Sequence, residues 1–153
     1  DVETLMQCIA VKQTIVEQDP LEKGIRKVLN YGHTVGHAIE GYFMDKEPVA
    51  HGHAVAIGML AEAHIAYKRT TLAKEAFHEI ETIILQHFPM IHLEEEDITE
   101  IIRLTLHDKK NEQNKINCTL LSAIGDSMID CFVSPEEISE ALNYLTIYKI
   151  NLN

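Results

Sequence analysis

Between Arg26 and Glu40 the chain reads Arg-Lys-Val-Leu-Asn-Tyr-Gly-His-Thr-Val-Gly-His-Ala-Ile-Glu. As a helix turning about 100° per residue, it sets Arg26, Asn30, His33, His37 and Glu40 on one face roughly 80° wide. An amphipathic helix ordinarily keeps its buried apolar residues at that spacing. Here the stripe holds a cation, an amide, two imidazoles and a carboxylate, while Val28, Leu29, Val35, Ala38 and Ile39 occupy the other faces. Such a helix is expected to be packed on several sides and to line a water- or ligand-filled cleft, because buried polar groups need partners. A merely solvated face would favour Lys and Glu over Asn and His. Gly32 and Gly36 fall in the same stretch, where each costs about 1 kcal/mol relative to alanine in a helix interior. An i, i+4 glycine pair lets a second backbone or a ligand come close, which is a reason to tolerate that cost.

His33 and His37 stand one helical turn apart, the spacing of helical two-histidine metal sites. Two residues do not close a catalytic site, which typically has three protein ligands and a water. His51-Gly52-His53 opens the next helical pattern and offers a candidate. The intervening dozen or so residues allow an antiparallel return that brings His51 beside His33. Without His33, His51 and His53 would read as loop imidazoles. His64, His78, His87 and His92 are scattered singly and carry no functional assignment.

Around this stretch the spacing predicts a mainly α, multi-helix single domain with one small β-hairpin. A first helix runs from Val2 to about Gln18-Asp19-Pro20, and a second from Ile25 or Arg26 to Tyr42-Phe43. A third follows His51-Gly52-His53 to about Arg69, and a fourth spans roughly Leu72 to Phe88, stopped by Pro89. Asp97 is expected as N-cap of a fifth, with Glu100 completing a capping box. Residues 116–124 and 127–133 are rich in β-formers and flank Gly125-Asp126, so a hairpin is expected there. Ser134 as N-cap and Pro135 at the first helical position open a last helix, with Glu136 and Glu137 facing the positive end of its dipole. No strand–GxGxxG–helix unit occurs, so no dinucleotide fold is visible.

Acids number 24 against 13 bases, a net charge of −11. That surface disfavours nucleic acid and anionic membranes as partners, and makes any convergence of cations conspicuous. No apolar run approaches the length of a membrane span, and the first residues lack the basic region of a secretory signal. Three cysteines without a CxxC pair fit a reduced, cytoplasmic protein. A start without methionine, directly into a helical pattern, suggests a piece of a longer chain.

The 26–40 string, followed by His51-Gly-His-Ala-Val-Ala-Ile-Gly-Met59, Asp108-Lys109-Lys110 and the hairpin carrying Ser122-Ala123-Ile124-Gly125, resembles the signature of the 3-dehydroquinate synthases. A lone HxxxH is weak, whereas this extended set in this order is highly specific. The resemblance implies the helical half of a two-domain enzyme whose N-terminal NAD-binding domain lies outside this chain. It implies conversion of 3-deoxy-D-arabino-heptulosonate 7-phosphate to 3-dehydroquinate in the shikimate pathway, with NAD and zinc (or cobalt), in a homodimer. Residue by residue, it implies that His33 and His51 are metal ligands, with the third, a glutamate, on the other domain. His37 and Glu22 match acid/base groups, Arg26 and Lys12 match residues holding the substrate carboxylate, and Asn30 and Lys109 match phosphate-side contacts. An anionic sugar-phosphate substrate agrees with localised cations on an acidic protein.

This chain departs from the family pattern in three places: His53 stands where HGE is usual, and Asn114 and Asn117 replace a glycine and a basic residue. His53 is thereby a competing ligand candidate, and spacing does not separate Lys109 from Lys110. Related readings are another sugar-phosphate cyclase of the deoxy-inosose or valiolone type, a metal-dependent alcohol or glycerol dehydrogenase, and a helical interaction module. Lacking the cofactor domain and the third ligand, the chain alone is expected to be inactive.

Overall fold

The computed structural model describes residues 1–107 and 115–148. Lys109, Lys110 and Asn114 therefore lie outside the described residues. The Asp1 side chain accepts the Thr4 amide at 2.9 Å and starts helix α1, Val2–Gln18, as the sequence predicts. Beyond it the Asp19 carboxylate gathers the amides of Lys23, Gly24 and Arg26 at 3.0, 2.7 and 3.2 Å. Those backbone donors hold Asp19 below the usual carboxylate range and shape the turn into a 3-10 helix, Ile25–Asn30.

The single helix expected from Arg26 to Phe43 is in fact two. Gly32 adopts φ +81°, a left-handed conformation open to glycine at little steric cost, and α2 (His33–Phe43) starts afresh after it. A 3-10 helix turns every three residues, so Arg26 and Asn30 do not continue the face of α2. Only His33, His37 and Glu40 share that face. Gly32 is thus a helix N-cap rather than a mid-helix residue.

Helix α3 (His51–Lys68) is the centre of the molecule. It starts at His51 itself and is buried on every side from Ala56 to Ala66 apart from Met59, packing against α2 and against the later helices and hairpin. A helix that is apolar all round belongs in the interior, and this one is rich in Ala and Gly, so its neighbours come close. A Cβ on Gly58 would stand 2.1 Å from the Gly32 carbonyl oxygen and 2.6 Å from the Gly36 nitrogen. One on Gly36 would stand 2.8 Å from the Val55 Cα, so the close approach that the glycine pair predicted is present.

Helices α4 (Lys74–His87) and α5 (Glu95–His107) follow. Leu72, expected at the start of α4, is buried in the connection before it. Asp97 is not the cap of α5. It lies within the first turn and accepts the Glu94 amide at 2.7 Å, the reach-back half of a capping box, while the Tyr42 hydroxyl also donates to it. The hairpin is β1 (Ile116–Ala123) and β2 (Asp126–Val133), antiparallel, with Ile124-Gly125 as its two-residue turn and Gly125 at φ +88°. Between Cys118 and Leu120 the register slips, so Thr119 faces both Ile129 and Asp130, and Asp130 takes φ +53°. This bulge bends the strand locally. The last helix, α6 (Pro135–Tyr148), starts after Ser134 as the sequence predicts, and Glu137 completes a capping box that the sequence reading did not include. The Ser134 Oγ accepts the Glu137 amide at 3.3 Å, and the Glu137 carboxylate accepts the Ser134 amide at 2.8 Å. No helix among the described residues is long and apolar enough to cross a membrane.

Candidate metal and substrate site

The antiparallel return of α3 beside α2 brings three imidazoles together. Ring centroids lie 5.2 Å apart for His33–His37, 5.8 Å for His33–His51 and 5.6 Å for His37–His51. One nitrogen of each lies within 4.8 Å of the other two. Two nitrogens on a tetrahedral ion, each at roughly 2.0–2.1 Å, stand on the order of 3.3 Å apart, so modest rotation of these rings closes the set. His33 is half-buried, and His37 and His51 are exposed on the open side. Imidazole donors suit zinc, cobalt or iron.

His51 and His33 each have an acceptor at Nδ1. His51 Nδ1 lies 2.9 Å from a Glu40 carboxylate oxygen, and His33 Nδ1 lies 3.2 Å from the Tyr31 carbonyl. In the neutral ring, an acceptor at Nδ1 selects the tautomer protonated there and leaves Nε2 for a metal, the arrangement of metal-bound histidines. His53, the competing candidate, is elsewhere. Its Nε2 donates to the Pro89 carbonyl at 2.6 Å and its ring packs on Phe88 at 5.7 Å.

The start of α2 is anchored from below. Glu62 on α3 is fully buried and accepts the Gly32 amide at 2.6 Å and the Val35 amide at 3.3 Å. Burial pushes its carboxyl up to about 8, against the pull of these backbone donors and of the Thr34 amide. Tyr31 donates its hydroxyl to the Met59 carbonyl at 2.7 Å, and burial raises that hydroxyl well above its ordinary range. His33 therefore projects from a segment fixed on both sides. Sequence reasoning missed Glu62; its signal was a lone carboxylate inside the apolar run 54–66. It also left Glu40 without a role.

A cavity of about 530 Å³ opens beside the histidines, bounded by the 3-10 helix, the start of α2 and the hairpin. His33, His37, Asn30 and Glu22 all line it. Asn30 donates its amide to the Glu22 carboxylate at 2.7 Å, and Glu22 holds φ +54°. On the hairpin side Lys27 reaches Asp130 at 2.8 Å, and Asn117 donates to the same carboxylate at 2.9 Å. Asn117 first and Lys27 second keep Asp130 below the usual carboxylate range. Two expected substrate contacts are not among the cavity's lining residues. Lys12 lies on exposed α1, and Arg26 donates to the Pro20 carbonyl at 2.9 Å. Lys109 falls outside the described residues.

A family model described as 3-dehydroquinate synthase C-terminal matches residues 2–111. The chain is 42% identical over 139 residues to a 3-dehydroquinate synthase of Parabacteroides distasonis, covering 90% of this chain and 39% of that protein. It is 35% identical over 144 residues to a 3-dehydroquinate synthase of Alkaliphilus metalliredigens, covering 94% and 40%. The chain thus spans about two fifths of the length of the relatives it matches. Among solved structures it resembles a 2-deoxy-scyllo-inosose synthase complexed with carbaglucose-6-phosphate, NAD+ and Co2+, at TM-score 0.76 and 25% identity over 90% of this chain and 40% of that one. The 2-epi-5-epi-valiolone synthase of Streptomyces hygroscopicus, with NAD+ and Zn2+ bound, shares the fold at TM-score 0.75 and 20% identity, covering 96% and 40%.

Proposed function

The chain belongs to the 3-dehydroquinate synthase C-terminal family, and from that membership we propose that it forms the metal- and substrate-binding half of a 3-dehydroquinate synthase. The reaction is conversion of 3-deoxy-D-arabino-heptulosonate 7-phosphate to 3-dehydroquinate with release of phosphate, a carbon–oxygen lyase step of the shikimate pathway. NAD, when bound, would supply a hydride carrier that is restored within each turnover. In this reading a nucleotide-binding domain outside this chain supplies NAD and a glutamate ligand, the enzyme works in the cytoplasm as a homodimer, and this chain alone is inactive.

The observation that carries the reading is the convergence of His33, His37 and His51 beside a cavity that Asn30 and Glu22 also line. His33 and His51 would hold zinc or cobalt, supported by the acceptors already at their Nδ1 atoms. The bound ion supplies Lewis-acid polarisation of a substrate oxygen. His37, on the same face as His33 and one turn further on, moves a proton to or from the substrate. Glu22, part-buried and linked to Asn30, is a second proton-transfer group, and it orients the Asn30 amide toward the phosphate side. Lys109 contributes to the same side. Arg26 and Lys12 hold the substrate carboxylate, for which Arg26 turns from the Pro20 carbonyl it now meets.

The inosose- and valiolone-forming cyclases share the scaffold, but the curated relatives at 35% and 42% identity carry the dehydroquinate synthase name, so those activities are not favoured. A metal-dependent alcohol or glycerol dehydrogenase differs in outcome, since it accumulates NADH and releases no phosphate. The protein carrying this chain at full length is therefore assayed with the heptulosonate phosphate, glucose 6-phosphate and sedoheptulose 7-phosphate. Phosphate release from the first alone, without net NADH, is expected. Turnover of only the other two, or NADH accumulation, overturns the reading.

A further inference from the structure

We propose that Glu40 is a positioning residue of the metal site, holding the His51 ring so that Nε2 is the nitrogen left to ligate; this rests on the metal reading above. Glu40 and His51 lie on different helices, yet the carboxylate oxygen and Nδ1 are 2.9 Å apart. Helix α2 presents His33, His37 and Glu40 at i, i+4 and i+7, so one face supplies two rings of the cluster and the carboxylate that grips the third. His51 is the first residue of α3, and its side chain is 55% exposed. More than half of that side chain is open to solvent, and an imidazole so exposed samples both tautomers and several rotamers unless a partner fixes it. An acceptor at Nδ1 removes that freedom. His33 meets the same requirement by another route, through the Tyr31 carbonyl at 3.2 Å. Each ring assigned to the metal thus has its Nδ1 committed, one to backbone and one to Glu40. Read only as a surface ion pair, the Glu40–His51 contact would contribute little to stability and nothing to metal affinity.

The test measures Co2+ affinity by visible absorption in the full-length protein and its Glu40→Ala, Glu40→Gln and His33→Ala variants. Alongside it, histidine ¹⁵N shifts are recorded for the metal-free wild type and the two Glu40 variants. Glu40→Ala is expected to weaken Co2+ binding by about 10–100-fold, with wild-type thermal melting. Glu40→Gln recovers part of the loss, because its amide oxygen still accepts from Nδ1–H. In the metal-free protein His51 is expected as the Nδ1–H tautomer, becoming a mixture in Glu40→Ala. If His33→Ala weakens binding and Glu40→Ala does not, the positioning role is wrong while the metal site stands. If no variant changes Co2+ binding, the metal reading fails and the inference with it. Unchanged His51 shifts in Glu40→Ala overturn the inference whatever the metal does.

Discussion

Glu62 is a carboxylate enclosed by an apolar helix, with no cation among its described partners and three backbone amides as donors. Burial disfavours its charged form more than those amides favour it, so its carboxyl titrates near 8 instead of near 4.5. The folded chain then binds this proton more tightly than the unfolded chain does. The resulting stability is fully present below about pH 4.5 and is lost as pH rises through about 8. Denaturant unfolding between pH 5 and 9 is expected to show stability falling over that window, and Glu62→Gln to flatten the fall. A variant profile parallel to wild type would refute this. Residue types announced some of the site: two histidines at i, i+4 and a third opening the next helix are readable from spacing alone. The partners of Glu62 and Glu40 were not: one showed only as a lone carboxylate in an apolar run and the other only as a member of the polar stripe, because spacing does not say which groups of another helix they meet.

The elements matched their sequence signals where caps and turns are local, as at Ser134-Pro135 and around Gly125. They departed at the 3-10 helix and α2, because the helical period of polar residues runs unbroken through Gly32 while the backbone does not. Only the positive φ at Gly32 and the packing of Met59 against it reveal the break. The crossing of α2 and α3 depends on glycines facing each other across it. Gly58→Ala would set a methyl 2.1 Å from the Gly32 carbonyl oxygen, and neither backbone has room to retreat within the core. Overpacking of this kind costs about 1–3 kcal/mol or more. Since the shift would move α2 against α3, Gly58→Ala is expected to lower the unfolding free energy by at least that much and to weaken metal binding as well. Gly52→Ala, where the added Cβ meets nothing within 4 Å, is the control expected to melt as wild type does. Equal melting of the two variants would show that the crossing tolerates side chains.

At the scale of the whole molecule, an acidic chain gathers its polar chemistry where α2, α3, the 3-10 helix and the hairpin meet. The hairpin is joined to that site by Thr34 donating to the Asn117 carbonyl at 3.0 Å and by Thr119 donating to the Lys27 carbonyl at 2.9 Å. Lys27–Asp130 adds an ion pair at the cavity wall; the two side chains are 31% and 41% exposed, so its contribution to stability is about 1 kcal/mol at most. The mainly α architecture with one hairpin was legible in the sequence, as was the family. That Arg26 and Lys12 are not among the residues lining the cavity was not, because spacing along a helix does not record which neighbouring wall a side chain meets. In the proposed site three neighbouring rings divide into two that hold metal and one that moves protons, although all three lie equally close. The measurement that tests it most directly is metal affinity, read beside turnover, for His33→Ala, His37→Ala and His51→Ala in the full-length protein. His33→Ala and His51→Ala are each expected to lose metal, while His37→Ala keeps near wild-type affinity and loses about 10²–10⁴-fold in turnover. Metal binding weakened as much by His37→Ala as by the other two would contradict it and make the cluster a three-histidine site.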